Sequence, residues 1–172
     1  MMIEPQVGNS KAGRRMLWLA AIGLLGGLTA LFQFNIGSRG GLVDSINEPG
    51  YSMVAVQRDR SGHYLVEGAI NGQAVMFLVD TGATDVAIPE TAARAFGLDF
   101  GPQIVVMTVA GPIKAWKTRL DSVRVGGVSL TNVSATITPG SMDEVLLGMS
   151  FLKHFSIRQQ GEMLTIESGS KL

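Results

Sequence analysis

The chain contains no cysteine, which excludes disulfides, thiolate metal sites and a cysteine nucleophile while leaving the redox compartment open. Histidine is almost as scarce. His63 and His154 stand alone and far apart, so imidazole-based metal binding has nothing to build on, and neither a metal nor another cofactor is expected. Charge is also sparse: 16% of residues are charged, with 14 basic residues balancing 14 acidic ones. A neutral chain lacks the electrostatic footprint of a nucleic-acid partner. No internal repeat or low-complexity tract is present. What remains is a chain of 172 residues, 46% hydrophobic and with 22 glycines, long enough for one ordinary domain and an appendage.

The appendage lies at the N-terminus. Residues 16–38 run for 23 positions without a charge, which meets the requirement of about 20 apolar residues for a bilayer-spanning helix. Lys11, Arg14 and Arg15 precede this run and Arg39 alone follows it. That bias predicts a cytoplasmic N-terminus, residues 1–15, and export of everything after residue 38. The competing reading is a cleaved signal peptide, but no small-x-small cleavage site follows the apolar core. Arg14-Arg15 is open to two readings, twin-arginine export or a basic topogenic flank. Gly23 and Gly27 are spaced to let two helices approach closely in lipid; glycine is also simply common in membrane helices. Residues 39–50 shift to Gly, Ser, Asn, Pro and scattered charge, the composition of a juxtamembrane linker.

From residue 51 onward the pattern is mainly β. Residues 51–57 and 63–70 read as strands, and Asn71-Gly72 between apolar runs is a strong hairpin signal. Residues 86–88 form a short strand; Pro89 then opens a helix through Phe96 that stops at Gly97. Residues 103–109 and 113–125 make a long hairpin around Ala110-Gly111-Pro112. Residues 128–138 read as two short strands broken near Asn132. Residues 149–155 suggest a short helix, and 156–160 with 163–167 a closing hairpin about Gly161. Trp116 suits either the core or a ligand pocket, and Met107, Met142, Met149 and Met163 read as gap-filling residues.

The stretch that organises this domain is Val75-Met76-Phe77-Leu78-Val79-Asp80-Thr81-Gly82-Ala83-Thr84. Five apolar residues predict a strand buried on both faces, and Gly82 permits an abrupt exit from it. The run therefore delivers one carboxylate, Asp80, to the junction of core and cleft. A buried ionised carboxylate is costly unless it has a partner or a use. Later in the chain comes Val145-Leu146-Leu147-Gly148, apolar residues ending in glycine.

Asp80-Thr81-Gly82-Ala83 in this apolar frame, together with Leu146-Leu147-Gly148, resembles the aspartic proteases. The single copy of the motif and about 120 residues of globular sequence resemble the retropepsin-like branch, in which two identical chains each contribute one aspartate. The resemblance covers residues 51–168 and is nearest to single-pass bacterial members. It implies an all-β fold with one or two short helices: a closed barrel with a flap hairpin, preceded here by one transmembrane helix. It implies that Asp80 is catalytic and that Thr81 bonds across a dimer axis. It also implies that Gly82 accepts a hydrogen bond from substrate backbone, that Ala83 lines subsites, and that Thr84 and Asp85 lie where retroviral enzymes bind substrate with two acids. Val109, Ala110, Gly111 and Pro112 would form the flap turn. Two departures stand out: Met149 occupies the place of the arginine that follows the second glycine in retroviral enzymes, and the flap turn lacks the asparagine common in membrane-tethered relatives.

The function expected from these readings is a membrane-anchored aspartic endopeptidase. It would be active as a homodimer on peptide or protein substrates, in the bacterial inner membrane with its catalytic domain in the periplasm. The alternative from another class is a catalytically silent dimerisation or peptide-binding module of the same fold; a third is an unrelated small β-barrel with Asp80 as a satisfied core carboxylate.

Overall fold

In the computed structural model, which describes residues 41–108, 111–141 and 144–169, Asn71 and Gly72 both take positive φ, 50° and 82°. Paired left-handed positions are what a tight hairpin turn of the type I′ kind demands. They join β3 (Leu65–Ile70) to β4 (Gln73–Val79) with Ile70 opposite Gln73 and Leu65 opposite Leu78. The Asn71 side chain and backbone also bond to the backbone of Ser122. The turn is thus docked on the sheet, and the register that carries β4 to Asp80 is held at its far end.

The β3–β4 hairpin belongs to a seven-stranded sheet in the order β3-β4-β9-β5-β8-β7-β6, closed into a barrel by pairing of β3 with β7. The remaining strands of this sheet are β5 (Val86–Pro89), β6 (Gln103–Thr108), β7 (Gly111–Val125), β8 (Val128–Thr138) and β9 (Val145–Leu147). The barrel closes tightly at Gly68, where an added Cβ would lie 2.3 Å from the Arg124 carbonyl oxygen and against the Phe77 ring. A second, four-stranded sheet runs in the order β1-β2-β11-β10, with β1 (Leu42–Glu48), β2 (Tyr51–Gln57), β10 (Ser156–Gln160) and β11 (Met163–Gly169). Phe77, Ile88, Leu120, Ile137, Leu147 and Phe151 are fully buried in the common core, joined by Val54, Val56 and Ile166 of the second sheet. Two short helices, α1 (Glu90–Ala95) and α2 (Met149–Leu152), complete the order.

The all-β class and the closing hairpin follow the sequence pattern, the barrel follows the family resemblance, and five expectations are corrected. Residues 39–50 do not read through as linker, because Leu42–Glu48 pairs antiparallel with β2. Its side chains are almost all exposed, so the strand is held by its neighbour's backbone and leaves no hydrophobic alternation to detect. The strand 75–79 is buried on one face only: Phe77 is enclosed and Val75 and Val79 pack on the core, while Met76 and Leu78 stay half-exposed. Residues 128–138 form one strand with unbroken register across Asn132, which takes φ 58° in place. Pro89 ends β5 and caps α1 rather than opening its first turn, and α2 spans four residues where seven were expected.

The predicted span 16–38, the cytoplasmic segment 1–15 and Met142 lie outside the described residues. Among the described residues no helix is long and apolar enough to cross a membrane.

The Tyr64 ring packs against the core, yet its hydroxyl is buried without a hydrogen-bond partner among the described residues. A desolvated donor without a partner costs stability. Tyr64→Phe should therefore be neutral or stabilising, by up to about 1 kcal/mol, read as an unchanged or higher urea midpoint; clear destabilisation would mean that the hydroxyl is satisfied.

Candidate active site

Strand β4 ends as its neighbour β9 takes over the backbone: Phe77, Leu78 and Val79 pair in parallel with Val145, Leu146 and Leu147. The Asp80 N–H then donates to the Leu147 carbonyl at 3.2 Å. From there the chain turns at once. The Ala83 N–H donates to the Asp80 carbonyl at 3.2 Å, and the Gly82 N–H donates to Asp80 Oδ1 at 2.9 Å. An added Cβ at Gly82 would stand 3.2 Å from that oxygen. The carboxylate is half-buried, and Thr81 and Gly82 are exposed.

The far arm of the turn is fixed by Gly148 and α2. The N–H groups of Met149 and Ser150 donate to the carbonyls of Ala83 and Thr84, each at 2.8 Å. Gly148 lies so close to this arm that an added Cβ would fall 2.1 Å from the Asp85 carbonyl oxygen and 2.8 Å from that of Ala83. The Ser150 hydroxyl accepts from the Val86 N–H at 2.9 Å and donates to the Ser134 carbonyl at 2.7 Å. The two motifs of the sequence thus form one interlocked unit. Beside it runs a row of half-exposed apolar side chains, Leu65, Leu78, Leu146 and Ala87, set opposite one another by strand register. It offers an apolar wall next to a carboxylate.

The Asp85 carboxylate is paired within the chain. Its Oδ2 accepts from Lys117 Nζ at 2.5 Å and from the Thr136 hydroxyl at 2.8 Å. Lys117 and Thr136 stand opposite each other in the β7–β8 ladder, and among the described residues Thr136 is the one buried polar side chain. Thr84 is exposed. Trp116 packs partly against the core and meets Phe100 edge-on, with centroids 5.4 Å apart. Of the flap turn, Val109 and Ala110 lie outside the described residues; Gly111 takes φ 110°, and its carbonyl accepts from the Thr108 hydroxyl at 2.8 Å. Val105 and Met107 on β6 are 67% and 75% exposed, so Met107 fills no gap in the core. Elsewhere, the N–H of His63, then the hydroxyl and N–H of Ser61, converge on Asp59 and hold its carboxyl below the usual carboxylate range.

Three residues of this constellation escaped the sequence reading: Lys117, Thr136 and Ser150. No signal set Thr136 apart: Ser134 and Thr136 alternate with Val133, Ala135 and Ile137, the ordinary period-2 pattern of a strand with one apolar face.

A closed β-barrel that offers one Asp-Thr-Gly turn, locked against an apolar-apolar-Gly strand, defines the retropepsin-like class of aspartic proteases. Residues 66–154, just over half of the chain, match the family model for the gag-polyprotein putative aspartyl protease, and the chain belongs to that family. The crystal structure of a retropepsin-like aspartic protease from Rickettsia conorii superposes with a TM-score of 0.57 at 28% identity, covering 75% of this chain and 98% of that one. Two curated relatives are uncharacterized proteins. One, from Sinorhizobium sp, encoded in the cobV 5′ region, is 32% identical over 64% of this chain and 49% of its own length. The other, from Rickettsia prowazekii (strain Madrid E), is 31% identical over 59% of this chain and 45% of its own. The chain thus spans about half the length of the curated relatives it matches.

The packing at Gly148 makes a sharp expectation. Gly148→Ala forces a methyl group onto two backbone carbonyls and should cost about 1–3 kcal/mol or more. It should also move the amide resonances of Gly82 to Asp85, whereas Gly41→Ala, with open space around it, should do neither. Unchanged amides in a folded Gly148→Ala protein would refute the interlock.

Proposed function

We propose that the protein is a membrane-anchored aspartic endopeptidase whose active site is assembled from two copies of the chain, each supplying Asp80. The observation that carries this reading is the half-buried Asp80 carboxylate in a turn whose far arm is locked while Thr81 and Gly82 remain exposed. A second copy facing this open side would bring two carboxylates together. Like charges at short range cannot both ionise, so the pair shares one proton, and its apparent pKa values belong to the pair. The ionised member takes a proton from water as the water attacks the scissile carbonyl, while the protonated member supplies the proton that the leaving nitrogen needs.

In this reading Thr81 bonds across the two-fold axis and holds the paired turns. Gly82, lacking a side chain, lets substrate backbone approach. Ala83 and the wall of Leu78, Leu146 and Ala87 contact the substrate's side chains, and the hairpin ending at Gly111-Pro112 closes over them. The substrate is a peptide or protein, and the chemistry proposed uses no metal or other cofactor. Residues 16–38 form the anchor, with the N-terminus in the cytoplasm and the catalytic domain in the periplasm of a bacterial cell.

The test is cleavage of a peptide library by the full chain in detergent from about pH 3 to about pH 8, a range that brackets shared-proton carboxylate titration. Asp80→Asn should retain the fold and lower turnover by about 10³-fold or more. Mixing the variant with wild type should poison activity beyond simple dilution if the site is shared. An inactive wild type that sediments as a dimer would favour the silent binding module. For the anchor, the full chain should resist alkaline extraction from membranes, and a periplasm-specific reporter after Leu172 should be active; the opposite result would discard the topology.

A further inference from the structure

The outer part of the β6–β7 hairpin is a two-stranded ribbon. Its pairing runs from Thr108 opposite Gly111 to Gln103 opposite Trp116, and β7 takes β8 as its second partner only from Trp116 onward. A two-stranded ribbon is marginally stable by itself, so the geometry at its root decides where it points. That root is Lys117. Its N–H donates to the Pro102 carbonyl at 3.0 Å and its carbonyl accepts from the Gly101 N–H at 2.9 Å. Gly101 comes so close that an added Cβ would stand 2.6 Å from the Lys117 carbonyl oxygen. The Lys117 side chain then crosses to Asp85, where it shares Oδ2 with Thr136.

One residue therefore ties the first step of the ribbon to the segment that leaves the Asp80 turn. Only the Lys117 end of the tie is solvated, with that side chain 46% exposed, whereas a pair exposed at both ends contributes little. The Asp85 side chain is 14% exposed, and its backbone is pressed against Gly148. Removing the ammonium would leave an acceptor poorly placed to recruit water, so the carboxylate would seek another orientation and take the root of the ribbon with it.

We propose that Lys117 is a positioning residue, a clamp that sets the resting orientation of the flap ribbon relative to the Asp80 turn through its ion pair with Asp85. The inference rests on the protease reading only for its kinetic consequence; the clamp is a property of the fold. Closing the ribbon over a substrate then requires bending beyond residues 101, 102 and 117 rather than swinging at them, so the moving part is the outer ribbon alone.

Hydrogen exchange of the full chain in detergent tests the clamp without relying on catalysis. Lys117→Met should raise exchange of the amides of residues 103–116 by about tenfold, with β2 and β11 unchanged. Lys117→Arg should restore protection, and Asp85→Asn should reproduce the loss without adding to it in the double variant. In peptide cleavage, Lys117→Met should raise KM with a much smaller change in kcat, since the acid–base pair is untouched. Unchanged exchange at 103–116 in folded Lys117→Met, or equal loss in Lys117→Arg, overturns the proposal. Exchange that follows the expected pattern in a wild type that cleaves nothing supports the clamp and sinks the protease reading.

Discussion

The site depends on one close approach, the backbone of Gly148 against the carbonyls of Ala83 and Asp85. A parallel pair such as β4–β9 has no hairpin to set its register, and β9 is only three residues long. Its alignment must come from the residues just beyond it. Gly148 supplies that stop, because absence of a side chain lets α2 begin against the descending arm of the Asp80 turn. Met149 and Ser150 then donate to the carbonyls of Ala83 and Thr84, which ties that arm to α2. The same contact fixes the sequence's two separated motifs as one object: Asp80 bonds up to Leu147 on one side of the turn, and Ala83 and Thr84 accept from α2 on the other.

This arrangement treats the two sides of the turn differently. The inner arm has its hydrogen bonds satisfied within the chain, whereas the tip at Thr81 and Gly82 faces outward. Among the described residues the Asp80 carboxylate receives one hydrogen bond, from Gly82, which is modest support for a half-buried carboxylate. A chain optimised only for stability would cover or replace such a group. Its retention beside a half-exposed apolar wall is the feature on which the proposed two-copy site rests.

Much of this was legible in the sequence because local chemistry and global fold agreed. Asn71-Gly72 specified a turn that the structure uses with both residues in the left-handed region, and Gly82 and Gly148 sat where no side chain fits easily. What failed to show had a common cause. β1 carries little hydrophobic alternation since its pairing with β2 is through backbone, and Met76 and Leu78 looked like core because a buried strand and a wall facing a cleft are equally apolar. Asn132 looked like a break because its composition suits a turn, yet the flanking ladder of β7 and β8 holds it in place, tertiary pairing overriding local preference. Lys117, Thr136 and Asp85 are far apart in sequence, and nothing in their spacing foretells that they converge.

That convergence bears on how a short barrel would carry the closing hairpin proposed above. A ribbon free at its root would sample many orientations, and ordering it on each binding event would cost affinity. A ribbon rigid along its whole length could not admit a chain into the cleft. Dividing the hairpin at Lys117 separates these demands. Below that residue, β7 is built into the barrel through β8 and β3; past Trp116 its backbone pairs with β6 alone, although Ala115 is still fully buried. The boundary carries a polar contact beside the apolar packing of Ala115 and Trp116, and the two act differently. An ion pair with a hydrogen bond is directional, so it holds an angle as well as a distance. Apolar contact, being non-directional, would hold the root of the ribbon against the barrel without specifying where its tip points.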